Sequence, residues 1–158
     1  QWSDDRFWDT LKRQIPSAIA NNLETGPSLE KSIAPLRSFV CEPLSFGRLF
    51  IVGDAGHIVP PTGAKGLNLA FSDVYYLSRG FITFFKDKNE QLLKEYSDRA
   101  LDRIWKSERF SWWMTSLLHR FDNEDGFAER MRRAEFKYLR QSEDYQRVLA
   151  TNDVGLPY

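Results

Sequence analysis

Apolar residues along this chain recur with two different spacings, and the change between them predicts a strand followed by a helix. Four consecutive apolar residues, Leu49 to Val52, stand between Gly47 and Gly53, a pattern typical of a strand that is covered on both faces. The next apolar series has spacings of three and four and predicts a helix packed on that strand, through Leu67, Ala70, Val74, Leu77 and Phe81. An earlier segment, residues 29–43, alternates enough to predict a strand interrupted at Pro35.

Helical patterns occupy most of the remaining chain. Ser3 is the expected N-cap of a short first helix, and Pro16 either ends that helix or begins another. A long second helix is expected between residues 91 and 125, with one face made of Leu93, Tyr96, Ala100, Ile104 and Trp105. A third helix follows at residues 126–141, with a Glu129–Arg133 pair and an apolar stripe of Phe127, Met131, Ala134 and Tyr138. Ser142 is the expected start of a fourth.

One or two strands do not make a sheet that buries residues 49–52 on both faces, so we expect the other strands to come from elsewhere. The sequence begins with Gln1 instead of Met, which adds to the expectation of a longer protein. We therefore predict the C-terminal part of a larger α/β enzyme, continuous and without an internal linker. Its expected parts are the end of a substrate-binding region at residues 1–46, a strand-loop-helix unit at 47–82 and a helical region at 83–158.

Charge and cysteine content limit the possible partners. Twenty-two basic residues balance twenty-two acidic ones, which argues against nucleic acid or an anionic membrane surface as a partner. No apolar run approaches the roughly 20 residues of a membrane span, and we expect a soluble, cytoplasmic protein. Cys41 is the single cysteine, so no intrachain disulfide and no cysteine-based metal site are expected, and it is interpreted as a small buried hydrophobe.

The segment from Gly53 to Ala70, "GDAGHIVPPTGAKGLNLA", carries the candidate chemistry. Asp54 follows a predicted buried strand, where α/β folds commonly meet a ligand. Pro60 and Pro61 stiffen the backbone, and the glycines at 63 and 66 permit close approach of a planar or bulky group. The helix that follows directs free amides and its positive end toward the same place. Gly-Asp after a strand also occurs in ordinary turns, so the spacing of the whole segment matters more than either residue.

That spacing resembles the second FAD-binding motif of the class A flavoprotein monooxygenases, which is Gly-Asp-Ala-x-His, then Pro, Gly and Gly-x-Asn, then Asp and Leu inside the helix. The matching residues are Gly53, Asp54, Ala55, His57, Pro60, Gly63, Gly66, Asn68, Asp73 and Leu77. The resemblance extends over nearly the whole chain to the 4-hydroxybenzoate 3-monooxygenases of that family, through "SLEKSIAPLRSF", "RIWKSERFSWWMTS", "LHRF" and "VGLPY". It implies the C-terminal part of an FAD/NAD(P)-binding monooxygenase fold, here mostly helical with one or a few strands. The N-terminal G-x-G-x-x-G domain of the family has no counterpart in these residues.

The resemblance implies an activity and a set of cofactor contacts. The enzyme would hydroxylate 4-hydroxybenzoate, or a close hydroxybenzoate, to the 3,4-dihydroxy product in aromatic catabolism, using O2 and NADPH or NADH through a flavin hydroperoxide. A homodimer is implied as well. Asp54 would bond the ribitol chain of FAD, and the amides of Leu67 and Asn68 would reach the flavin pyrimidine edge. Gly63 and Gly66 would lie against the cofactor, and Lys65 would add positive potential unless it is a solvated loop charge.

The substrate and nicotinamide contacts follow from the same resemblance. Pro61 would present its carbonyl to the phenolic hydroxyl of the substrate, and Thr62 and Gly63 would line the pocket. Arg37 and His57 would help to hold NADPH. Each has a structural alternative, which is an ion pair with an acid for Arg37 and a hydrogen bond within its own loop for His57. The late aromatic residues and His119 are interpreted as packing residues of a long helix.

One position departs from the family pattern. The family has a tyrosine directly before "VGLPY", the outer member of a relay that removes the phenolic proton, and this chain has Asp153. A carboxylate can accept a proton or bond a second ring hydroxyl, so we expect a shift in preference toward a dihydroxybenzoate. The other function considered is a catalytically inactive helical fragment retained for packing or dimerisation.

Overall fold

The structure is a computed structural model that describes residues 2–33, 35–121 and 124–155. The last three residues of "VGLPY" lie outside the described residues. The chain divides into two compact units, Gln1–Pro35 and Leu36–Tyr158. Within the described residues no helix is long and apolar enough to cross a membrane.

The first unit is built from two helices, as predicted. Helix α1 (Asp4–Gln14) begins where Ser3 Oγ accepts the N–H of Arg6 at 3.2 Å. Helix α2 (Ser17–Ala20) follows Pro16. The indole of Trp8 donates to the Gly26 carbonyl at 2.8 Å and ties α1 to the turn after α2.

The strands of the second unit are shorter than the sequence predicts. Strand β1 (Phe39–Val40) pairs antiparallel with β4 (His57–Ile58), and β2 (Ser45–Phe46) forms a hairpin with β3 (Leu49–Phe50). The predicted strand over residues 29–43 is wrong except at β1, since Pro35 lacks an N–H and only β1 finds a described partner. Leu49 is 59% exposed among the described residues, so the prediction that residues 49–52 are covered on both faces stays a prediction about the longer protein.

Five helices make up most of the second unit in the described part of the chain, which confirms the mostly helical α/β prediction. They are α3 (Gly66–Asp87), α4 (Gln91–Lys94), α5 (Tyr96–Leu118), α6 (Gly126–Gln141) and α7 (Glu143–Val154). Helix α5 ends before Gly126, so the long second helix is shorter than predicted. The predicted cap of α7 is confirmed, because Ser142 Oγ accepts the N–H of Tyr145 at 3.2 Å.

The core lies between α3, α5 and the two small sheets. Its fully packed members are Leu44, Leu69, Tyr76, Tyr96, Ala100 and Ile104. The predicted face of α5 is confirmed at Tyr96, Ala100 and Ile104 and wrong at Trp105, which is largely exposed.

The predicted packing face of α3 is confirmed at Leu77, which packs against the core, and wrong at Leu67 and Val74. Leu67 is 70% exposed and Val74 54% exposed, while the buried stripe is Leu69, Ser72, Asp73, Tyr76 and Gly80. Two polar residues lie in that stripe and are hydrogen bonded, so hydrophobicity alone points to the opposite side of the helix. Phe81, at the edge of that face, still packs on the Phe50 ring of β3, with the ring centroids 5.5 Å apart.

Helices α6 and α7 pack against each other through Tyr138 and Tyr145, whose ring centroids lie 4.9 Å apart. The predicted Glu129–Arg133 ion pair is confirmed at 2.6 Å. The predicted apolar stripe of α6 packs against α7 at Tyr138 and is exposed at Phe127 and Met131.

Candidate functional site

A short 3₁₀ turn after β3, Gly53–Ala55, contains the first candidate cofactor-binding residue, Asp54, and is called the Asp54 turn below. Gly53 adopts φ +60°, a conformation that glycine reaches without the strain of a side chain. Asp54 is exposed, and its carboxylate has no hydrogen-bond partner in the described part of the chain. The turn therefore presents a carboxylate that is free to accept a hydroxyl.

The Asp54 turn is held from behind by Asp73 of α3. Asp73 Oδ2 accepts the N–H of Gly53 at 2.8 Å and lies 2.7 Å from His57 Nε2. Both side chains are 1% exposed. Because an ionised carboxylate is only an acceptor, His57 donates from Nε2. His57 thus bonds to α3, outside its own loop, and is buried away from any ligand on the surface.

Glu108 of α5 is a second acid close enough to His57 for their charges to interact. Its Oε2 accepts the Ser38 hydroxyl at 3.1 Å, which links α5 to the segment before β1. Burial raises the pKa of Glu108, although the Ser38 hydrogen bond and the neighbouring His57 both oppose the shift. Glu108 Oε1 and His57 Nδ1 are buried without a partner among the described residues. Sequence reasoning missed Glu108, since a single acid inside a charged helix carries no signal in the pattern.

A second 3₁₀ turn, Pro61–Gly63, follows Pro60 and is called the Pro61 turn. The carbonyl of Pro61 accepts the N–H of Ala64 at 2.9 Å, which leaves one of its two lone pairs available. Thr62 Oγ1 accepts the hydroxyl of Thr115 on α5 at 2.8 Å. The turn is thereby fixed to α5, with Pro61 exposed.

Gly63 is buried against α5. A methyl group added at its Cα would lie 2.7 Å from Ser111 Oγ and 3.2 Å from the Phe110 ring. The close approach that Gly63 permits is therefore to α5, whereas at Gly66 the nearest atom, on Val59, would be 3.8 Å away. Of the two glycines, only Gly66 leaves space on its exposed side.

Lys65 is a buried cation, so the interpretation as a solvated loop charge is wrong. Its side chain is 7% exposed, and its Nζ lies 5.2 Å from the centre of the Phe110 ring. The same Nζ donates to the backbone carbonyl of Asp153 in the last turn of α7. Lys65 therefore joins the loop to the end of the chain, and the Asp153 carboxylate itself remains exposed.

The start of α3 presents unpaired amides. The first intrahelical bond runs from the Leu69 N–H to the Lys65 carbonyl at 2.9 Å, so Gly66, Leu67 and Asn68 donate to no described backbone group. Leu67 and Asn68 are both exposed. The positive end of α3 is thus accessible to an electron-rich edge.

A cavity of about 260 Å³ lies between the start of α3, the middle of α5 and the end of α7. Three cations line it, Lys65, Arg103 and Lys106, together with the amides of Asn68 and Asn152. Such a lining favours an anion or a group that becomes one.

Arg37 does not belong to this cluster. It is exposed in the segment before β1, not in a strand, and has no described partner.

A family model described as FAD binding domain matches residues 1–111. The chain belongs to this FAD-binding family. The assignment made from the Gly53–Ala70 motif is confirmed, and FAD is supported as the cofactor. The matched range contains the Asp54 turn, the Pro61 turn and the whole of α3.

Comparison with known proteins finds a relative that is similar along nearly the whole chain. It is 57% identical over 157 residues to p-hydroxybenzoate hydroxylase of Acinetobacter baylyi, which covers 99% of this chain and 39% of that protein. A shorter match to rifampicin monooxygenase of Streptomyces venezuelae has 57% identity over 30 residues, or 19% of this chain and 6% of that protein. This chain therefore spans well under half the length of these relatives.

One similar solved structure is that of the rebeccamycin biosynthetic enzyme RebC with reduced flavin. It shares 24% identity with a TM-score of 0.41, over 72% of this chain and 23% of that chain. This likeness is too remote to bear on the site.

Proposed function

We propose that this chain is the C-terminal part of an FAD-dependent monooxygenase that hydroxylates 4-hydroxybenzoate, or a close hydroxybenzoate, to the 3,4-dihydroxy product. Identity of 57% to a p-hydroxybenzoate hydroxylase along nearly the whole chain supports the substrate class. The observation that carries the proposal is one exposed segment that offers a free carboxylate at Asp54 and free amides at the start of α3.

The described residues fit FAD at both ends of this segment. Asp54 would accept a ribityl hydroxyl, because its carboxylate is exposed and unpaired. The N–H groups of Leu67 and Asn68 would donate to the flavin pyrimidine edge, and Lys65 would add positive potential from below. FAD, reduced by NADPH or NADH, would supply the activation of O2 that puts one oxygen atom on the ring.

The substrate would lie beside the Pro61 turn. The second lone pair of the Pro61 carbonyl is available for a phenolic hydroxyl, and the stiff turn fixes its direction. A carbonyl that accepts the phenolic hydroxyl does not itself remove the proton, so a base is needed. Asp153 is proposed for this role, because its carboxylate is exposed and its backbone carbonyl contacts Lys65. Thr62 would line the pocket through its outer face, while Gly63 contributes by packing on α5.

The nicotinamide contact is proposed for Arg37 alone. Arg37 is exposed and unpaired among the described residues, as a group that binds a phosphate must be. His57 is 1% exposed, so its contribution to a cofactor would be made through Asp73 and not by contact.

A cytoplasmic homodimer belongs to the same proposal. The exposed apolar residues of α6 support it, because such residues commonly mark an interface.

The other candidate is an inactive helical packing fragment. The exposed apolar faces of α3 and α6 favour it, since they need a covering partner whether or not chemistry occurs. The two candidates differ in whether the Asp54 turn binds flavin.

FAD titration of the complete hydroxylase polypeptide tests the proposal. Replacement of Asp54 by Asn is expected to weaken FAD binding about 10-fold or more, because a charge-assisted hydrogen bond is lost. Asp87→Asn, an exposed aspartate at the other end of α3, is the matched control. Equal FAD affinity in both variants would overturn the proposed site, and product analysis with 4-hydroxybenzoate tests the reaction.

A further inference from the structure

Asp73 is a buried carboxylate that the proposed chemistry does not use. A buried charge is costly unless it is paired and hydrogen bonded. Asp73 Oδ2 has two donors, the Gly53 N–H at 2.8 Å and His57 Nε2 at 2.7 Å. One of these donors is the backbone of the Asp54 turn itself, so the buried charge acts directly on the residue that precedes Asp54.

His57 connects this carboxylate to α5. Its ring is fully buried in β4, with Asp73 on its Nε2 side, while Glu108 of α5 is near enough for their charges to interact. His57 Nδ1 and Glu108 Oε1 remain unpartnered among the described residues.

We propose that Asp73 and His57, backed by Glu108, form a positioning unit that sets the Asp54 turn in the conformation that binds FAD. The inference rests on the proposed function and adds residues that would not touch the cofactor. Gly53 stands at φ +60°, and its N–H is directed into Asp73, so loss of that hydrogen bond frees the backbone directly before Asp54. The unit thus makes the affinity for FAD depend on groups buried below the surface.

A double-mutant cycle in the complete hydroxylase tests this inference. Asp73→Asn is expected to weaken FAD binding about 10- to 100-fold, the usual effect of losing hydrogen bonds to a charged group. Because Asp73 acts through Asp54, adding Asp73→Asn to Asp54→Asn should cost much less affinity than it costs alone. At saturating FAD, kcat should recover to near the parent value, since the reacting atoms are untouched.

Two further variants keep the test decisive. His57→Gln replaces the second member and is put through the same cycle, which decides the matter if Asp73→Asn does not fold. Ile104→Val, a buried change on α5 without polar groups, reports the effect of lost packing alone and should leave the FAD dissociation constant unchanged.

The outcomes separate this inference from the proposed function. If Asp54→Asn and the positioning variants each weaken FAD binding, and the combined loss is smaller than the product of the single losses, both the inference and the proposed function are supported. If Asp54→Asn weakens FAD but the positioning variants do not, or their losses simply multiply, the inference is overturned and the FAD site stands. If Asp54→Asn has no effect on FAD, the proposed site itself fails.

Discussion

Replacement of Asp153 tests the choice of substrate, because its carboxylate is exposed while its backbone carbonyl accepts a hydrogen bond from Lys65. We expect Asp153→Tyr in the complete hydroxylase to raise the ratio of kcat/KM for 4-hydroxybenzoate over 3,4-dihydroxybenzoate about tenfold, because it removes a charged acceptor for a second ring hydroxyl. Asp144→Tyr, on the exposed first turn of α7, is the control. An unchanged ratio would remove Asp153 from the determinants of specificity.

Gly63 is fixed by contact with α5, which predicts a cost in stability for any side chain there. Gly63→Ala places a methyl group 2.7 Å from Ser111 Oγ and should lower the free energy of unfolding by about 1–3 kcal/mol, as overpacking usually does. Ser111→Ala removes the nearest atom and should restore part of that loss in the double variant. Urea unfolding measures both, with Gly126→Ala as control, because nothing lies within 4 Å of a methyl group at Gly126. Additive losses would show that the two residues do not meet.

The raised pKa of Glu108 predicts the direction in which the free energy of unfolding changes with pH. Burial raises its pKa from the ordinary value of 4.5, so the native state binds the proton more tightly than the unfolded state does. This group therefore lowers the free energy of unfolding as pH rises from about 4.5 through its raised pKa, and its cost is fully present above that value.

Glu108→Gln should remove this dependence of the free energy of unfolding on pH. The variant should therefore become more stable relative to the parent as pH rises from about 4 to about 7. Urea unfolding across that range checks the prediction, with the exposed Glu30→Gln as control. A difference between variant and parent that stays constant with pH would contradict it.

At the scale of elements, the helix caps and most of the α5 packing face were predictable, and the buried face of α3 was predictable only in part. Ser3 and Ser142 start α1 and α7 as predicted, because an N-cap depends on a hydroxyl and the next three residues. The rest of the buried face of α3 was missed, since it depends on Asp73 meeting Gly53, twenty residues earlier in the chain. Strand lengths failed for a related reason, because a strand needs a partner that local pattern does not specify.

The site shows the same division. Family and cofactor were predictable from the resemblance of the Gly53–Ala70 segment to a known FAD-binding motif, and the family match confirms the family. The role of His57 and the contribution of Glu108 were not predictable, because both arise where β4, α3 and α5 meet.

Helix α7 is tied to the start of α3 through Lys65, which gives a prediction at the element scale. Lys65→Met removes the donor to the Asp153 carbonyl and should raise amide exchange in the last turn of α7 about tenfold. Lys106→Met, which removes an exposed partner of Asp102, is the control and should leave that turn unchanged. Equal exchange in the two variants would mean that the Lys65 contact does not hold α7.

At the scale of the whole molecule, a stripe of apolar residues on one face of α3 is left uncovered by the described residues. Phe71 is 61% exposed, Val74 54% and Ile82 54%, all on a helix whose other side is fully packed. A stripe of this kind is typical of a helix with polypeptide on both sides. In the proposed hydroxylase, residues beyond this chain would cover it.

A single substitution made in two contexts tests that covering. Val74→Asp in the complete hydroxylase should lower the free energy of unfolding by about 3 kcal/mol, because it buries an unpaired carboxylate against the covering residues. The same substitution in the 158-residue chain should leave unfolding nearly unchanged and reduce self-association, since there the carboxylate meets water. Asn89→Asp, at an exposed position just after α3, controls for the change in charge. Equal effects of Val74→Asp in both contexts would mean that the stripe stays at the surface of the complete protein, and the proposal that this chain is one part of a larger flavin fold would lose its structural support.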